Sequence, residues 1–386
     1  MIRRLRTLAP AAFAAALAGG LVAASVWTLS CAPASSSARG APRSPASEGS
    51  LDDALRARAA DRSASSAEGS TRRSPRALII DEEPWTYAGR EGRVITTPHF
   101  RLHTTVTRSL LLERAPNFIE IALASYRTAL GELPEPGARL DTFLMGSRPQ
   151  WESITRAVAG EQSETYLRIP RGGFALGGKG VYYDIGPRDT LSIAAHEGWH
   201  QYTQSTFRDP LPLWLEEGIA AYFEGFRWDR NDNTMPVFLP WSNPQRFDVL
   251  RKAQAEGRLI PLSRLLVSRP QDLIAHTDGR ALTYYAQVWA LAHFLHEGEG
   301  SKYRADLERL LQDAASGDMA RVVSERVGPR AARHSIYRRI GDAVFRAYFT
   351  EDLDAAQAEY DRFVRTVTLP GTRGAMTAGE SPLGEE

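Results

Sequence analysis

The sequence predicts an α+β protein in which a small mixed sheet and one histidine-bearing helix form a first lobe, and helices form a second. Short segments rich in β-branched residues lie before residue 186 and predict strands. Residues 189–226 then indicate two helices joined by a proline-containing turn. Across residues 281–367 the apolar residues recur mostly at helical spacing. Strands followed by helices are typical of the α+β class.

Residues 1–31 have the pattern of an export leader. Three arginines near the start precede an alanine-rich apolar run at residues 8–29, and the single cysteine of the chain, Cys31, follows. The stretch T-L-S-C that ends at Cys31 is similar to a bacterial lipoprotein box. We therefore expect an exported protein of the bacterial cell envelope that is lipidated at Cys31, with a secreted protein or an uncleaved membrane anchor as the alternatives.

Residues 32–76 consist mainly of Ser, Ala, Arg, Pro and Gly and contain almost no large apolar residue. Such a segment buries too little surface to offset its ordering entropy, so we expect a disordered linker. We expect the same of the tail at residues 369–386. The single cysteine excludes an intrachain disulfide framework.

The composition is that of an ordinary globular protein. The chain has 386 residues, of which 43% are hydrophobic. These suffice for one large domain at residues 77–368, with a sheet and motif-helix lobe at 77–226 and a helical lobe at 227–368. The 47 basic and 46 acidic residues leave a net charge of +1. We therefore expect no nucleic-acid partner, and a membrane contact only through the leader or its lipid.

The first lobe is predicted to alternate strands and helices. Its elements are one or two strands at residues 94–107, a helix at 109–130, a strand at 140–145 and a helix at 149–158. The glycine-rich stretch at 171–185 lacks the pattern of a phosphate-binding loop, so we interpret it as a glycine-hinged hairpin that ends in a strand at 181–185. After the motif helices we expect an irregular loop at 228–247, an amphipathic helix at 281–297 and further helices at 302–367.

His196-Glu197-Gly198-Trp199-His200 is an H-E-x-x-H motif. In a helix, residues four apart lie about 6 Å apart along the axis and about 40° apart around it, so both imidazoles can reach one metal ion. Glu197 lies about 100° from His196 around the helix, beside the metal position, where a carboxylate can take a proton from water. A helix that carries these residues by chance is the alternative.

A catalytic zinc ion takes three protein ligands and keeps one position open. Residues 201–216 separate His200 from Glu217, which is predicted to lie near the start of the second helix. Two histidines and one glutamate are a known catalytic zinc set.

Four other histidines are weaker candidates for metal ligands. His99 and His103 occupy a strand region at a spacing that gives them one face but places them about 13 Å apart. His293 and His296 lie on the helix at 281–297 without a third partner. Structural roles are favoured for all four.

The segments HEGWHQ and PLWLEEGIAAYFE together resemble the gluzincin metallopeptidases of clan MA. They are most similar to the M1-like branch and to the DUF1570, peptidase MA-like group, in which H-E-x-x-H-Q is followed by W-L-x-E-G-x-A-x-Y. The resemblance implies a zincin-like first lobe, one Zn²⁺ ion bound by His196, His200 and Glu217, and Glu197 as the proton acceptor. Glu216 falls on the variable position of the pattern and is the weaker candidate ligand.

The same resemblance bears on substrate binding. In gluzincins the strand before the motif helix, here residues 181–185, lines the cleft and pairs with extended substrate backbone. The G-x-M-E-N motif with which M1 aminopeptidases hold a free amine is absent, so N-terminal trimming loses support. The pattern Y-x-x-x-W-A-L that begins at Tyr285 is similar to the M1 helix whose tyrosine stabilises the oxyanion. Tyr285 is assigned that role; Tyr284, or a core aromatic with no such role, are the alternatives.

We therefore expect zinc-dependent hydrolysis of peptide bonds in a peptide or protein substrate. A degenerate peptidase fold that serves as an envelope binding module is one alternative, although the intact set with Glu197 argues against it. A structural zinc protein is another. A closed structural site takes a fourth protein ligand, usually cysteine, and Cys31 lies in the leader.

Overall fold

The structure, a computed structural model, describes residues 78–274 and 279–384. The described residues belong to one compact unit of the chain. The predicted leader at residues 1–31, including Cys31, and the predicted linker at residues 32–76 lie outside the described residues.

A six-stranded mixed sheet organises the first half of the described chain. Its strands are β1 (Asp81–Tyr87), β2 (Arg90–Thr96), β3 (Phe100–Thr104), β4 (Leu140–Met145), β5 (Gly173–Leu176) and β6 (Lys179–Tyr183). In space the order is β1-β2-β3-β4-β6-β5. The β3–β4 and β4–β6 pairs are parallel, and the other three pairs are antiparallel.

Strand β5 forms one edge of this sheet. Gly177 and Gly178, with φ of 57° and 74°, make the two-residue turn between β5 and β6, a conformation that favours glycine. The expectation that residues 181–185 form the cleft strand is corrected here, because β6 is hydrogen-bonded on both sides, to β4 and to β5. Within the described chain, β5 has a neighbour on one side only.

Helices make up most of the remaining chain. They are α1 (Ser109–Thr128), α2 (Arg148–Ala159), α3 (Ser163–Leu167), α4 (Pro187–Thr206), α5 (Leu213–Tyr222), α6 (Pro244–Ala255), α7 (Leu262–Leu265), α8 (Pro270–Ile274), α9 (Arg280–Ser301), α10 (Arg304–Ser316), α11 (Met319–Val327), α12 (Pro329–Arg338), α13 (Ala343–Tyr348), α14 (Leu353–Val367) and α15 (Arg373–Ala378). The fold is therefore α+β with a helical C-terminal region, as the sequence predicts. Among the described helices, none combines the length and the apolarity that crossing a membrane requires.

The two faces of the sheet bury different cores. On one face Tyr182 packs in a large core that includes residues of α1 and α4 and continues through the C-terminal helices as far as Met376. On the other face Val181 and Phe174 pack with Trp151 in a smaller core formed with α2 and α3. Val181 and Tyr182 reach different cores because side chains alternate along a strand. The sheet and the C-terminal helices therefore share one continuous core.

The structure differs from the sequence prediction in three places. Strand β1 is not predicted, because most of its side chains are exposed and give no alternating pattern. Residues 228–247 are not irregular throughout, since a short hairpin of β7 (Phe226–Trp228) and β8 (Pro236–Phe238) precedes α6. The predicted disordered tail at 369–386 contains α15, which buries Met376 completely in the large core. The polar composition of the tail conceals Met376 as a buried apolar residue.

Candidate metal centre

The motif helix α4 is fixed to the sheet by Gln201, which follows the second histidine. Its Nε2 donates to the carbonyl oxygens of Asp141 at 2.8 Å and Gly178 at 3.1 Å. Its Oε1 accepts from the hydroxyl of Thr142 at 3.1 Å. These bonds tie α4 to strand β4 and to the β5–β6 turn, and so fix the orientation of the histidine-bearing face.

The glycine inside the motif has a packing reason. A Cβ atom on Gly198 would lie 2.7 Å from the hydroxyl oxygen of Tyr126 on α1. That hydroxyl donates to the carbonyl oxygen of Ala195 at 2.6 Å. Gly198 therefore lets the tyrosine of α1 contact the backbone of α4.

The structure brings His196, His200 and Glu217 together, with one nitrogen or oxygen of each within 4.8 Å of the others. The Oε2 atom of Glu217 lies 3.4 Å from Nε2 of His196 and 3.7 Å from Nε2 of His200. Both distances exceed the usual range of N–H···O hydrogen bonds. In the described part of the chain, this is the one group of three or more potential ligands placed to share a metal ion.

The geometry of this group fits a metal ion. Donor atoms about 2.0–2.2 Å from a tetrahedral ion lie roughly 3.3–3.6 Å from one another. The two distances from Oε2 of Glu217 to the histidine nitrogens are close to this range. Nε2 of His196, Nε2 of His200 and both carboxylate oxygens of Glu217 are buried and have no hydrogen-bond partner among the described residues. Buried polar atoms seldom remain unpaired, because each costs about 1–3 kcal/mol. An ion bound between the three side chains would remove this penalty.

Glu224, which follows α5, holds the first histidine. Its Oε1 accepts from Nδ1 of His196 at 2.9 Å, which leaves Nε2 facing Glu217. Arg246 of α6 donates to both oxygens of Glu224, at 2.7 and 3.1 Å, and Asn243 donates to Oε2 at 2.7 Å. The orientation of His196 is therefore set by a buried network that reaches α6.

Glu216 holds the second histidine. Its Oε1 accepts from Nδ1 of His200 at 2.9 Å and from the hydroxyl of Thr203 at 2.7 Å. Nη2 of Arg339 lies 3.5 Å from the other oxygen, and the carbonyl oxygen of Arg339 accepts from the amide of Leu213 at the start of α5. The weaker ligand candidate thus supports a histidine and lies outside the group that could hold the ion.

The charges around the group leave room for a dication. The buried carboxylates, each at most 4% exposed, are those of Glu197, Glu216, Glu217 and Glu224. The two guanidinium groups beside them belong to Arg246, which is 4% exposed, and to Arg339, whose side chain is 16% exposed. With both histidines neutral, as metal ligands are, the formal charge is two negative, and a buried charge of this size requires compensation. One divalent cation supplies it. In the absence of an ion, protonation of His196 and His200 supplies it instead, since the neighbouring glutamates raise the pKa values of both against the effect of burial.

The surroundings shift the pKa values of these carboxyl groups in opposite directions. Burial raises the pKa of Glu197 to about 7, although both histidines oppose the shift. Burial also acts on Glu217 and Glu224, but His200 and Arg246 respectively outweigh it and lower each pKa to about 2. Glu217 and Glu224 are therefore held as carboxylates, whereas Glu197 can bind and release a proton near neutral pH.

Glu197 lies beside the donor group and is not part of it. The residue is fully buried, and neither carboxylate oxygen has a hydrogen-bond partner in the part of the chain that the structure describes. The amide of Ala175 on β5 is close enough to lower its pKa, though it does not meet hydrogen-bond geometry. Glu197 thus lies between the histidines and the edge strand.

Both tyrosines of the predicted pair reach this region. Tyr284 and Tyr285 are buried, and burial together with the charge of Glu217 raises both pKa values well above 10. The charge of Glu197 adds to the shift of Tyr285, whose ring lies under the guanidinium carbon of Arg246 at 5.1 Å. The hydroxyl of Tyr284 has no hydrogen-bond partner among the described residues.

Two tyrosines that carry no sequence signal also lie near Glu197. Burial and the charge of Glu197 raise the pKa of Tyr166 to about 12, and they raise that of Tyr182 further. The ring of Tyr166 stacks on that of Phe174 of β5, with 4.2 Å between the ring centroids, and the buried hydroxyl of Tyr166 has no hydrogen-bond partner within the described ranges. Tyr166 belongs to the short helix α3 and Tyr182 to a buried strand, so no motif singles them out.

The four histidines predicted to be structural each have a nearby polar side chain. The pairs are His99 with Glu120, His103 with Asp141, His293 with Glu297 and His296 with Tyr222. Across the described ranges, none of the four belongs to a group that could hold a metal ion.

The residues that the sequence analysis missed are those that support the ligands. Glu224 offered a usable signal, because a carboxylate two residues after a largely apolar helix is expected to need a partner. Asn243, Arg246 and Arg339 offered none, because no fixed spacing along the sequence relates their segments to the H-E-x-x-H motif.

Residues 190–316 match the model of a protein family described as "Protein of unknown function (DUF1570)". The matched segment runs from within α4 to the end of α10, so it contains the three donors, Glu197, Glu224, Arg246 and both tyrosines. It excludes the six-stranded sheet and Arg339. No curated protein matches the chain.

Proposed function

We propose that this chain is a zinc-dependent peptide hydrolase of the gluzincin type. The observation that supports this most strongly is the position of Glu197, a buried carboxylate without a hydrogen-bond partner beside a His₂Glu donor group. A structural metal site makes no use of such a carboxylate, whereas hydrolysis needs a proton acceptor there. The resemblance of the two motif segments to gluzincins points to the same reaction.

Zinc is proposed because of the donor types. Two imidazole nitrogens and one carboxylate are a catalytic zinc set that leaves a fourth position open. Magnesium and calcium ions prefer oxygen donors throughout. When bound, zinc would supply Lewis-acid chemistry, polarising a carbonyl group and lowering the pKa of water.

The residues around the ion would divide the remaining work. Glu197 would take the proton of the attacking water and pass it to the leaving nitrogen. Glu216 and Glu224 would keep Nε2 of each ring directed at the shared position. Tyr285 would donate a hydrogen bond to the developing oxyanion, with Tyr284 as the alternative donor.

We propose an extended peptide or protein segment as the substrate. An added strand along the edge strand β5 would pass Ala175 and so bring a peptide carbonyl towards Glu197. The two histidines, Glu197 and Glu217 are at most 3% exposed. Neighbouring side chains must therefore move before a substrate reaches the centre.

This burial is the observation that favours a second candidate, a non-catalytic binding module that keeps the ion for its fold. The two candidates differ at Glu197. A hydrolase depends on this carboxylate for chemistry, whereas a module gains nothing from a buried carboxylate without a partner.

The test compares the cleavage of a diverse peptide pool by the wild type and by Glu197→Gln, with zinc measured in both. We expect both proteins to hold zinc, because Glu197 is not a ligand. The variant should lose activity by about 10²–10⁴-fold, the usual contribution of a general base. Glu161→Gln, at an exposed position, is the matched control and should retain full activity.

The outcomes separate the candidates. Zinc-loaded wild type that cuts nothing in the pool, or equal cleavage by wild type and Glu197→Gln, would contradict the hydrolase and favour the binding module. Wild type that takes up no zinc would contradict both.

A further inference from the structure

The outward face of α12 carries a row of basic side chains. The row consists of the basic residues Arg330, Arg333, His334 and Arg338 together with Tyr337, which are spaced as neighbours on one helix face. All are exposed, and Tyr337, at 70%, is the most exposed of the large hydrophobic residues in the described chain. These five residues are termed the basic stripe.

The basic stripe has no counter-charge of its own. Among the described residues, none of its side chains makes a hydrogen bond or an ion pair, and α12 contains no acidic residue. The neighbouring helix α11 shows the usual arrangement, in which the exposed Arg321 pairs with Asp318 and Glu325. The stripe is therefore not an ordinary salt-bridged surface.

The first two arginines of the basic stripe are placed unfavourably with respect to the helix dipole and to each other. Arg330 is the second residue of α12, where the positive end of the helix dipole favours acidic residues. Arg330 and Arg333 also lie one turn apart, so their like charges repel. An anion bound from outside would relieve both effects.

The stripe is presented on a fixed support. Ala332 and Ser335 are buried on the opposite face of α12, and Arg339, directly after the helix, donates from Nε to the carbonyl oxygen of Leu211 at 2.8 Å. From Arg330 to Arg338 the stripe extends for about 12 Å at the rise of an α-helix. The result is a short, straight row of cations.

We propose that the basic stripe docks this protein on an anionic phospholipid surface. Guanidinium groups bind phosphate oxygens in a bidentate manner, and a protruding tyrosine suits the headgroup level of a bilayer. A straight row on a rigid helix can contact a plane with all members at once. The net charge of +1 gives no indication of a membrane-binding surface. Composition counts the charges but does not show that cations cluster on one helix.

The chain before the described residues favours a membrane over other anionic partners. It contains the apolar run at residues 8–29, which the sequence analysis interprets as an export leader. One anchoring segment and one basic patch together bind a membrane far better than either alone. The lipid expected at Cys31, or a leader that stays uncleaved, would hold the chain at the surface, and the stripe would orient the folded part against it.

The experiment measures the co-sedimentation of the full chain with vesicles of phosphatidylcholine, with and without phosphatidylglycerol. Each basic residue near an anionic surface contributes about fivefold in binding, so three arginines predict a preference on the order of 10²-fold for the anionic vesicles. High salt should abolish most of this preference. The triple variant Arg330→Gln, Arg333→Gln, Arg338→Gln should lose it at low salt.

The matched control is Arg90→Gln, Arg156→Gln, Arg365→Gln, which removes the same charge from exposed positions on β2, α2 and α14. It should keep the lipid preference. The leader is present in every protein, so its contribution cancels in the comparison. Equal binding by the two triple variants, or a wild type without lipid preference, would overturn the proposal. A wild type that ignores vesicles but binds polyglutamate through the stripe would also overturn it, in favour of an acidic polymer.

Discussion

Each proposed histidine ligand has its own carboxylate, and a guanidinium group lies beside each carboxylate. The two chains of contacts are His196–Glu224–Arg246 and His200–Glu216–Arg339. A carboxylate that accepts from Nδ1 fixes the tautomer of the ring and leaves the lone pair of Nε2 for an ion. The affinity of the centre therefore depends on residues that are not ligands.

The substitution Glu224→Gln is expected to weaken zinc binding by about 10–100-fold, the usual effect of losing such a supporting group. The amide oxygen can still accept from His196, but the charge that orients the ring and pairs with Arg246 is gone. Zinc titration against a competing chelator measures the change.

Glu297→Gln is the matched control for this substitution. Glu297 also accepts from Nδ1 of a buried histidine, His293, at 3.0 Å, but it lies outside the donor group. Its replacement should leave zinc affinity unchanged. Equal losses in the two variants would show that any buried histidine partner stabilises the protein generally, and would contradict the specific role of Glu224.

The ligand candidates were predictable at this scale because helix geometry alone relates His196 to His200. Glu217 required a resemblance, since nothing in the spacing separates it from Glu216. The structure separates them, because Glu217 faces both Nε2 atoms while Glu216 accepts from Nδ1 of His200. Arg246 and Arg339 depend on the tertiary fold, which a local pattern does not contain.

The contact between α5 and α9 sets the position of the third donor. A Cβ atom on Gly218, the residue after Glu217, would lie 2.5 Å from the carbonyl oxygen of Val288 on α9. The backbone of α9 therefore approaches α5 at a distance that only glycine permits. This contact places Tyr284 and Tyr285 of α9 near Glu217.

Gly218→Ala is therefore expected to destabilise the protein by about 1–3 kcal/mol, the usual cost of overpacking, despite the better helix propensity of alanine. It should also weaken zinc binding, because Glu217 must move with its neighbour. Urea unfolding and zinc titration measure the two effects.

Gly374→Ala in α15 is the control. A Cβ atom at this position would have no neighbouring atom within 4 Å, so the change should be neutral or slightly stabilising. An unchanged midpoint for Gly218→Ala would contradict the close contact.

Elements with a strong period were the most predictable. The strand at residues 140–145 and the helix at 281–297 follow from alternation and from an apolar face, and the structure confirms both as β4 and most of α9. Strand β1 escapes prediction because most of its side chains are exposed, and helix α15 because its buried Met376 packs in a core built from residues far along the chain. The sequence of a hairpin does not show which of its two strands pairs with the rest of the sheet, so the edge position of β5 could not be predicted.

At the scale of the whole molecule, the candidate centre belongs to the same core as the rest of the fold. Residues that lie next to the metal-donor residues in the sequence, such as Trp199 and Ile219, pack in the large core, which reaches Met376 near the C-terminus. Disorder at the centre would therefore disturb the C-terminal helices as well as the sheet. The sequence predicted two lobes but not their common core, because composition and periodicity describe each segment separately.

Removal of the metal should consequently lower the stability of the entire described domain. Without an ion, the four buried carboxylates are balanced only by two guanidinium groups and by protonation of His196 and His200, and the ligand atoms have no hydrogen-bond partner among the described residues. Zinc at a hundred times its dissociation constant should raise the free energy of unfolding by about 2.7 kcal/mol over the chelated protein. Circular dichroism and tryptophan fluorescence should report one shared transition in urea, because a single core links the centre to both halves.

His196→Ala should show no zinc-dependent shift, whereas His334→Ala, on the exposed face of α12, should shift like the wild type. Identical unfolding curves with zinc and with chelator would show that these three side chains do not form a metal centre.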